Sequence, residues 1–225
     1  MTTDPTLTLH QWLSPAFPIG AFAYSHGLEW EVAAGRVNDL AGFQNWLTMC
    51  MAHGAGRNDA ILVAAAHHAR NGPSGDTDMA GGNAALAQVA ELAEALAPSG
   101  ERREETMAQG RAFAATVSAV HGVTIPPLAY PVAFGHAAGV LDLPLPLTLR
   151  LFLQAFCANL TSAAVRLVPL GQTDGQRVLA GMRPLIERLA HDALPGDLDA
   201  IGGAVPMIDI ASMRHESQRT RLFRS

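Results

Sequence analysis

Apolar residues recur along this chain at intervals of three and four, the spacing that gathers them on one side of an α-helix. The pattern is clearest at Leu149, Phe152, Leu153, Phe156, Leu160, Ala163, Ala164 and Leu167, and it predicts a long core helix there. Leu86, Val89, Leu92, Ala93 and Leu96 repeat it between 83 and 96, with Glu91 and Glu94 off the apolar side. After Pro98 a further helix is expected, with Ser99 placed to cap it and Glu101, Glu104 and Glu105 near the positive end of its dipole. Leu40, Phe43, Trp46, Leu47 and Met51, then Ile61, Leu62, Ala65 and Ala66, predict two helices broken near Gly54 to Gly56, with Asp39 and Asp59 near their starts. Val132 to Leu141 is expected as a short helix fenced by proline on both sides. No stretch alternates long enough to demand a strand, and Val and Ile are sparse beside Ala and Leu. The expectation is an all-α fold: a single domain over 1–225, a bundle of roughly 8–10 helices with flexible N- and C-terminal segments.

Two stretches break this pattern. Residues 71–83, NGPSGDTDMAGGN, are small and polar and are expected to form a mobile loop. From Val205 onward a short apolar start, Met207, Ile208 and Ile210, gives way to RHESQRTRLFRS. A tail so rich in arginine is expected to bury itself poorly against its own domain, and Phe223 amid Arg219, Arg221 and Arg224 suits a partner's surface. Residues 205–225 are therefore expected to be a partner-binding tail, with a solvated, frayed terminus as the alternative.

At the other end, Pro15 and Pro18 forbid a continuous helix and Gly20 permits a turn with positive φ, so residues 14–20 are expected to form a shaped loop. Phe17, Phe22 and Tyr24 crowd it with aromatic rings, and Ser25 is placed to cap a helix beginning near His26, with Glu29 in its first turn. Two readings stay open: a hydrophobic staple that fixes helix entry, or an aromatic recognition patch.

Composition narrows the function. With 225 residues, 49% of them hydrophobic and a net charge of −5, the chain can bury one sizeable core and offers no basic field for nucleic acid. Every basic side chain is an arginine, whose planar fork suits bidentate contacts to carboxylates. Cys50 and Cys157 sit in apolar stretches without a CxxC pair and are expected to be buried, reduced thiols. Met1 to Leu13 carries Asp4 and no arginine, unlike a secretory signal, so a cytoplasmic location is expected. The uncharged run between Arg150 and Arg166 falls short of the ~20 residues a membrane span needs.

Nine histidines raise the question of a metal, but neighbours His67 and His68 point about 100° apart on a helix, and His10, His26, His53, His121, His136, His191 and His215 are scattered without an HExxH or Cys/His pattern. A phosphate loop of the GxxxxGK[ST] type is impossible without lysine, and no GxSxG elbow is present. Neither catalysis nor a cofactor of its own is expected.

Two segments carry a resemblance. LSPAFPIGAFAYSHGLE, Leu13 to Glu29, closely resembles the opening motif of the UreF family of urease accessory proteins, and DIASMRHESQRTRLFRS, Asp209 to Ser225, resembles that family's C-terminal signature. Between them the likeness is looser, resting on the helical pattern, Gln109-Gly110-Arg111 and Tyr130 to Gly139. The resemblance implies an all-α, dimerising assembly factor that bridges a UreD (UreH)-type scaffold and a UreG-type GTPase. It also implies regulation of GTP-dependent nickel delivery to apo-urease, with the nickel handled in complex with those partners. It implies partner-binding roles for Ser14, Phe17, Pro18, Gly20, Tyr24, His26, Gly27 and Glu29, and for Met213, Arg214, His215, Glu216, Arg219, Arg221, Leu222, Phe223, Arg224 and Ser225, with the tail ordering on contact with the scaffold. Ala21 and Ala23 depart from the Gly and Ser of many relatives. A direct nickel carrier and a GTPase activator supplying an arginine in trans are the competing functions.

Overall fold

Local signals set several of the helix ends. The Asp39 carboxylate accepts from the Gly42 N–H at 2.7 Å and opens a helix over Leu40–His53, while Ser99 Oγ accepts from Arg102 N–H at 3.2 Å and opens Gly100–His121. Gly54 separates Leu40–His53 from Ala55–His68, the break expected from the glycines there. In the computed structural model, which describes residues 4–69 and 79–225, these belong to an all-helical fold. In chain order its α-helices are α1 (Pro5–Trp12), α2 (Leu28–Ala33), α3 (Leu40–His53), α4 (Ala55–His68), α5 (Met79–Ala95), α6 (Gly100–His121), α7 (Tyr130–Val140), α8 (Leu145–Leu167), α9 (Gln172–Asp192) and α10 (Pro206–His215). No strand occurs among the described residues.

The loop expected at 71–83 lies outside the described residues up to 78, and from Met79 the backbone is already helical. α9 has no counterpart among the expected helices, although Val178, Met182, Leu185, Ile186 and Leu189 form a regular apolar side that is buried.

The core is built around α4, α7 and α8. A Cβ on Gly135 of α7 would sit 2.2 Å from the Val63 carbonyl oxygen of α4, so these helices meet backbone to backbone and no larger residue fits. That approach buries Val132, Ala133, Phe134 and Ala137 completely. Trp12, Phe113 and Phe134 interlock beside them, ring centroids 5.2 to 5.9 Å apart, and Trp12 Nε1–H donates to His121 Nε2 at 3.3 Å. Cys50 and Cys157 are free and buried, and burial pushes both thiols up to about 12, so both stay protonated. Among the described residues no helix is long and apolar enough to cross a membrane.

Candidate functional site, where the two chain ends meet

After α1 the prolines keep the chain out of helix, and Gly20 takes φ +70°, the left-handed turn its residue type allows. A single 3-10 turn at Ala21–Ala23 follows. His26 and Gly27 are then both left-handed, with φ +57° and +78°, so α2 starts two residues later than expected. Ser25 still serves as a cap: its Oγ accepts from the Glu29 N–H at 3.3 Å and donates to the Ser225 carbonyl at 2.5 Å. The aromatic loop divides. Phe17 and Tyr24 are buried, Phe17 against Phe113, which matches the staple reading, while Phe22 is 64% exposed, as a recognition patch requires.

The tail differs from the expectation that it buries itself poorly. It has no regular structure beyond α10, yet Phe223 is 3% exposed and Ser225 is fully buried. Its polar groups are matched by acids from elsewhere in the fold. Glu29 accepts from the main-chain N–H of Leu222 at 2.7 Å and of Phe223 at 2.9 Å, and from His215 Nε2 at 3.2 Å. His215, fully buried on α10, also donates through Nδ1 to Glu101 at 2.6 Å. Both ring nitrogens of His215 thus face a carboxyl group. Arg221 pairs with the same Glu101, Ser225 Oγ donates to Glu105 at 2.5 Å, and main-chain bonds run from Arg224 N–H to Ala23 and from Ser25 N–H to Ser225.

Beneath the tail lies a buried charge cluster. Burial alone would raise the Glu105 carboxyl, but Arg102 and His26 outweigh it and hold Glu105 well below the usual carboxylate range. Burial, helped by Arg102, lowers His26 against the pull of Glu105, so the ring is neutral, donates through Nε2 to Glu105 at 3.0 Å and leaves a buried Nδ1 without a partner. Gln109 donates to the same carboxylate at 3.1 Å. Two cavities flank this cluster. One of about 240 Å³ reaches the aromatic loop past Phe22 and Phe156, and one of about 400 Å³ reaches α10 past Asp209 and Met213. His26, Asp59 and Arg102 line both.

The residues singled out by resemblance thus fall into two sets that the fold brings together. Phe17, Tyr24, His26, Gly27, Glu29, His215, Phe223 and Ser225 point inward and build the clasp between the chain ends. Pro18, Met213, Arg214, Glu216, Arg219, Arg221, Leu222 and Arg224 are exposed, with Ser14 and Gly20 half-exposed. Sequence reasoning missed Ser25's bond to the tail, Glu101 and Glu105 as the tail's acceptors, Arg102 and Gln109 as partners of Glu105, and Arg166. The signal for these acids was the i, i+4 spacing of Glu101 and Glu105, continued by the amide of Gln109, which stacks all three on one side of α6. His67 and His68 each bond a main-chain carbonyl, Leu143 and Leu194, at 2.9 Å. Among the described residues no three His, Cys, Asp or Glu side chains group as metal ligands would.

Arg166 ties the loop to the tail: its guanidinium donates to the Phe22 carbonyl at 2.7 Å and lies 4.3 Å over the centre of the Phe223 ring. An exposed cation–π contact and one hydrogen bond together are worth on the order of 1–2 kcal/mol. Arg166→Leu is accordingly expected to speed amide exchange in 21–25 and 222–225 by roughly tenfold while the amides of α8 itself stay protected; hydrogen exchange read by mass spectrometry checks this.

The UreF family model matches residues 37–183, the stretch between the two end motifs. A urease accessory protein UreF of Cereibacter sphaeroides is 52% identical, covering 97% of this chain and 98% of the relative. Its counterpart in Roseobacter denitrificans is 45% identical over 100% and 96%, and that of Ruegeria pomeroyi 43% over 100% and 98%. With the end motifs folded into one clasp and likeness running through the whole length between them, the chain belongs to the UreF family of urease accessory proteins.

Proposed function

We propose that this chain is a non-catalytic assembly factor in urease maturation, one that bridges a UreD (UreH)-type scaffold and a UreG-type GTPase and regulates GTP-dependent nickel insertion into apo-urease. One observation carries the reading: the clasp presents apolar side chains to solvent where a buried polar network fixes their backbone. Met207, Ile210 and Met213 lie three apart on the outer side of α10, between 42% and 54% exposed, and Leu222 is 74% exposed just beyond. Arg214, Arg219 and Arg224, in the same stretch of chain, are exposed as well. Exposed apolar side chains together with arginines are the composition of a protein-binding surface. A held tail also costs less ordering on association than a disordered one. The family implies a homodimer and a cytoplasmic setting, and both belong to this proposal.

The test separates surface from support. Met213→Ser with Leu222→Ser touches only exposed side chains, so the melting temperature is expected to stay within about 2 °C of the parent. Affinity for the scaffold partner is expected to fall about 100-fold, the loss of two modest anchors. Unchanged co-purification would remove α10 and the tail from the scaffold interface. Single-turnover GTP hydrolysis by the GTPase partner, with and without the chain, then reads regulation: an increase fits an arginine supplied in trans from the exposed set, a decrease a gating role, and no change rejects both.

A further inference from the structure

We propose that Asp59 is a protonation-sensitive element of this fold, one whose ionisation loosens the grip on the carboxy-terminal tail. Asp59 belongs to α4, remote in sequence from both chain ends, yet it forms part of the wall shared by the two cavities beneath the clasp. Its carboxyl group has no hydrogen bond among the described residues. The charged and titratable groups that line those cavities with it are Arg102 and Glu105 from α6, His26 from the loop before α2, Tyr130 from α7, Cys50 from α3 and Asp209 from α10, with Arg102 and Glu105 acting on it most directly. Only one of these is a fixed cation. Arg102 therefore serves two carboxylates, pairing directly with Glu105 and acting on Asp59 through space.

That sharing links Asp59 to the tail. Glu105 receives Ser225 Oγ, His26 Nε2 and Gln109, and it does so as a carboxylate kept ionised by Arg102. With Asp59 neutral, the guanidinium charge is committed to Glu105 and the clasp is closed. With Asp59 ionised, a second negative charge in the same cavity wall repels Glu105 and divides the field of Arg102. Burial pushes the Asp59 carboxyl up to about 7, against Arg102 and with Glu105, so the switch falls near neutral pH. A carboxyl raised in the folded chain is ionised more easily when unfolded, so its destabilising effect grows as pH rises towards 7 and levels off above. The direction is fixed: the tail opens more readily at pH 8 than at pH 6.

Any regulatory use of this opening rests on the proposed role of the tail as a docking surface, but the experiment reads the isolated chain and is decided whether or not a partner docks there. Hydrogen exchange at the amides of Leu222 and Phe223, both held by Glu29, gives protection factors at pH 6, 7 and 8 once intrinsic rates are removed. Protection is expected to fall roughly tenfold across that range, the size of a one-unit coupling, while amides in α8 hold theirs. Asp59→Asn is expected to stay at the pH 6 level throughout, and Asp209→Asn to keep the fall. Carboxyl ¹³C resonances of the parent chain give an independent reading without any variant: Asp59 should titrate near neutrality, and Glu105 should report the same midpoint. A flat profile in the parent, the same fall in Asp59→Asn, or titration of Asp59 without a change at Leu222 and Phe223 would each overturn the proposal.

Discussion

Replacing Glu105 with alanine is expected to cost on the order of 3–5 kcal/mol of stability, the usual penalty for stranding one member of a buried ion pair. Three donors lose their acceptor at once: Ser225 Oγ from the tail, His26 Nε2 from the loop and Gln109 from the same helix. Arg102, with its side chain only 12% exposed, keeps its charge without its principal partner. For a chain of 225 residues this corresponds to a fall in melting temperature of about 10 °C. Glu105→Gln keeps an acceptor for Ser225 and His26 while removing the charge, and should fall between parent and alanine variant. The pH dependence has a definite sign. The folded chain holds this carboxyl below its unfolded value, so its contribution is fully present above roughly pH 4–5 and is lost only as the medium becomes strongly acid. The difference between parent and Glu105→Ala should therefore be largest at neutral pH and shrink in acid. Thermal unfolding followed by circular dichroism at pH 7 and pH 3 measures both.

How much of this was legible beforehand follows from how local each determinant is. Asp39 and Ser99 reach amides three residues on, and both caps could be read directly from the chain. Gly54 and the flanking prolines placed the break between α3 and α4 and the isolation of α7 for the same reason. The periodicity of α9 was equally available and went unassigned. The tail was not legible, because arginines and a histidine at a chain end look solvated until their acids are known. Those acids sit on α2 and α6, more than a hundred positions away, where Glu101 and Glu105 look like first-turn residues drawn to a helix dipole. Of that acidic run, Glu101 does lie in the first turn of α6, while Glu104 stands 73% exposed beside Arg111. The resemblance singled out residues at both chain ends, and the fold divides them into buried and exposed. Polar residues such as Glu29 and His215 are buried and hold the tail from within, while Leu222 and Met213 are exposed.

Gly27 puts that distinction to its strongest test, because the tail's anchorage depends there on a missing side chain. A Cβ at Gly27 would lie 2.7 Å from Ser212 N and 3.1 Å from Ala211 C, both in the backbone of α10, where no rotamer change can make room. The position also holds φ +78°, which a β-carbon disfavours by about 1–2 kcal/mol. Overpacking against an unyielding neighbour adds roughly 1–3 kcal/mol, so Gly27→Ala is expected to destabilise the chain by about 2–5 kcal/mol. The available relief is a shift of α10 away from α2, which would draw His215 from Glu29 and Glu101 and free Leu222 and Phe223 from Glu29. Gly20→Ala supplies the control. It is left-handed as well, with φ +70°, but nothing lies within 4 Å of its added carbon, so it carries backbone strain alone. The excess loss in Gly27→Ala, with faster amide exchange in α10 and the tail that Gly20→Ala does not share, measures the contact between α2 and α10. Equal losses at the two glycines would mean that α10 is not held by this approach and that the charge cluster alone secures the tail.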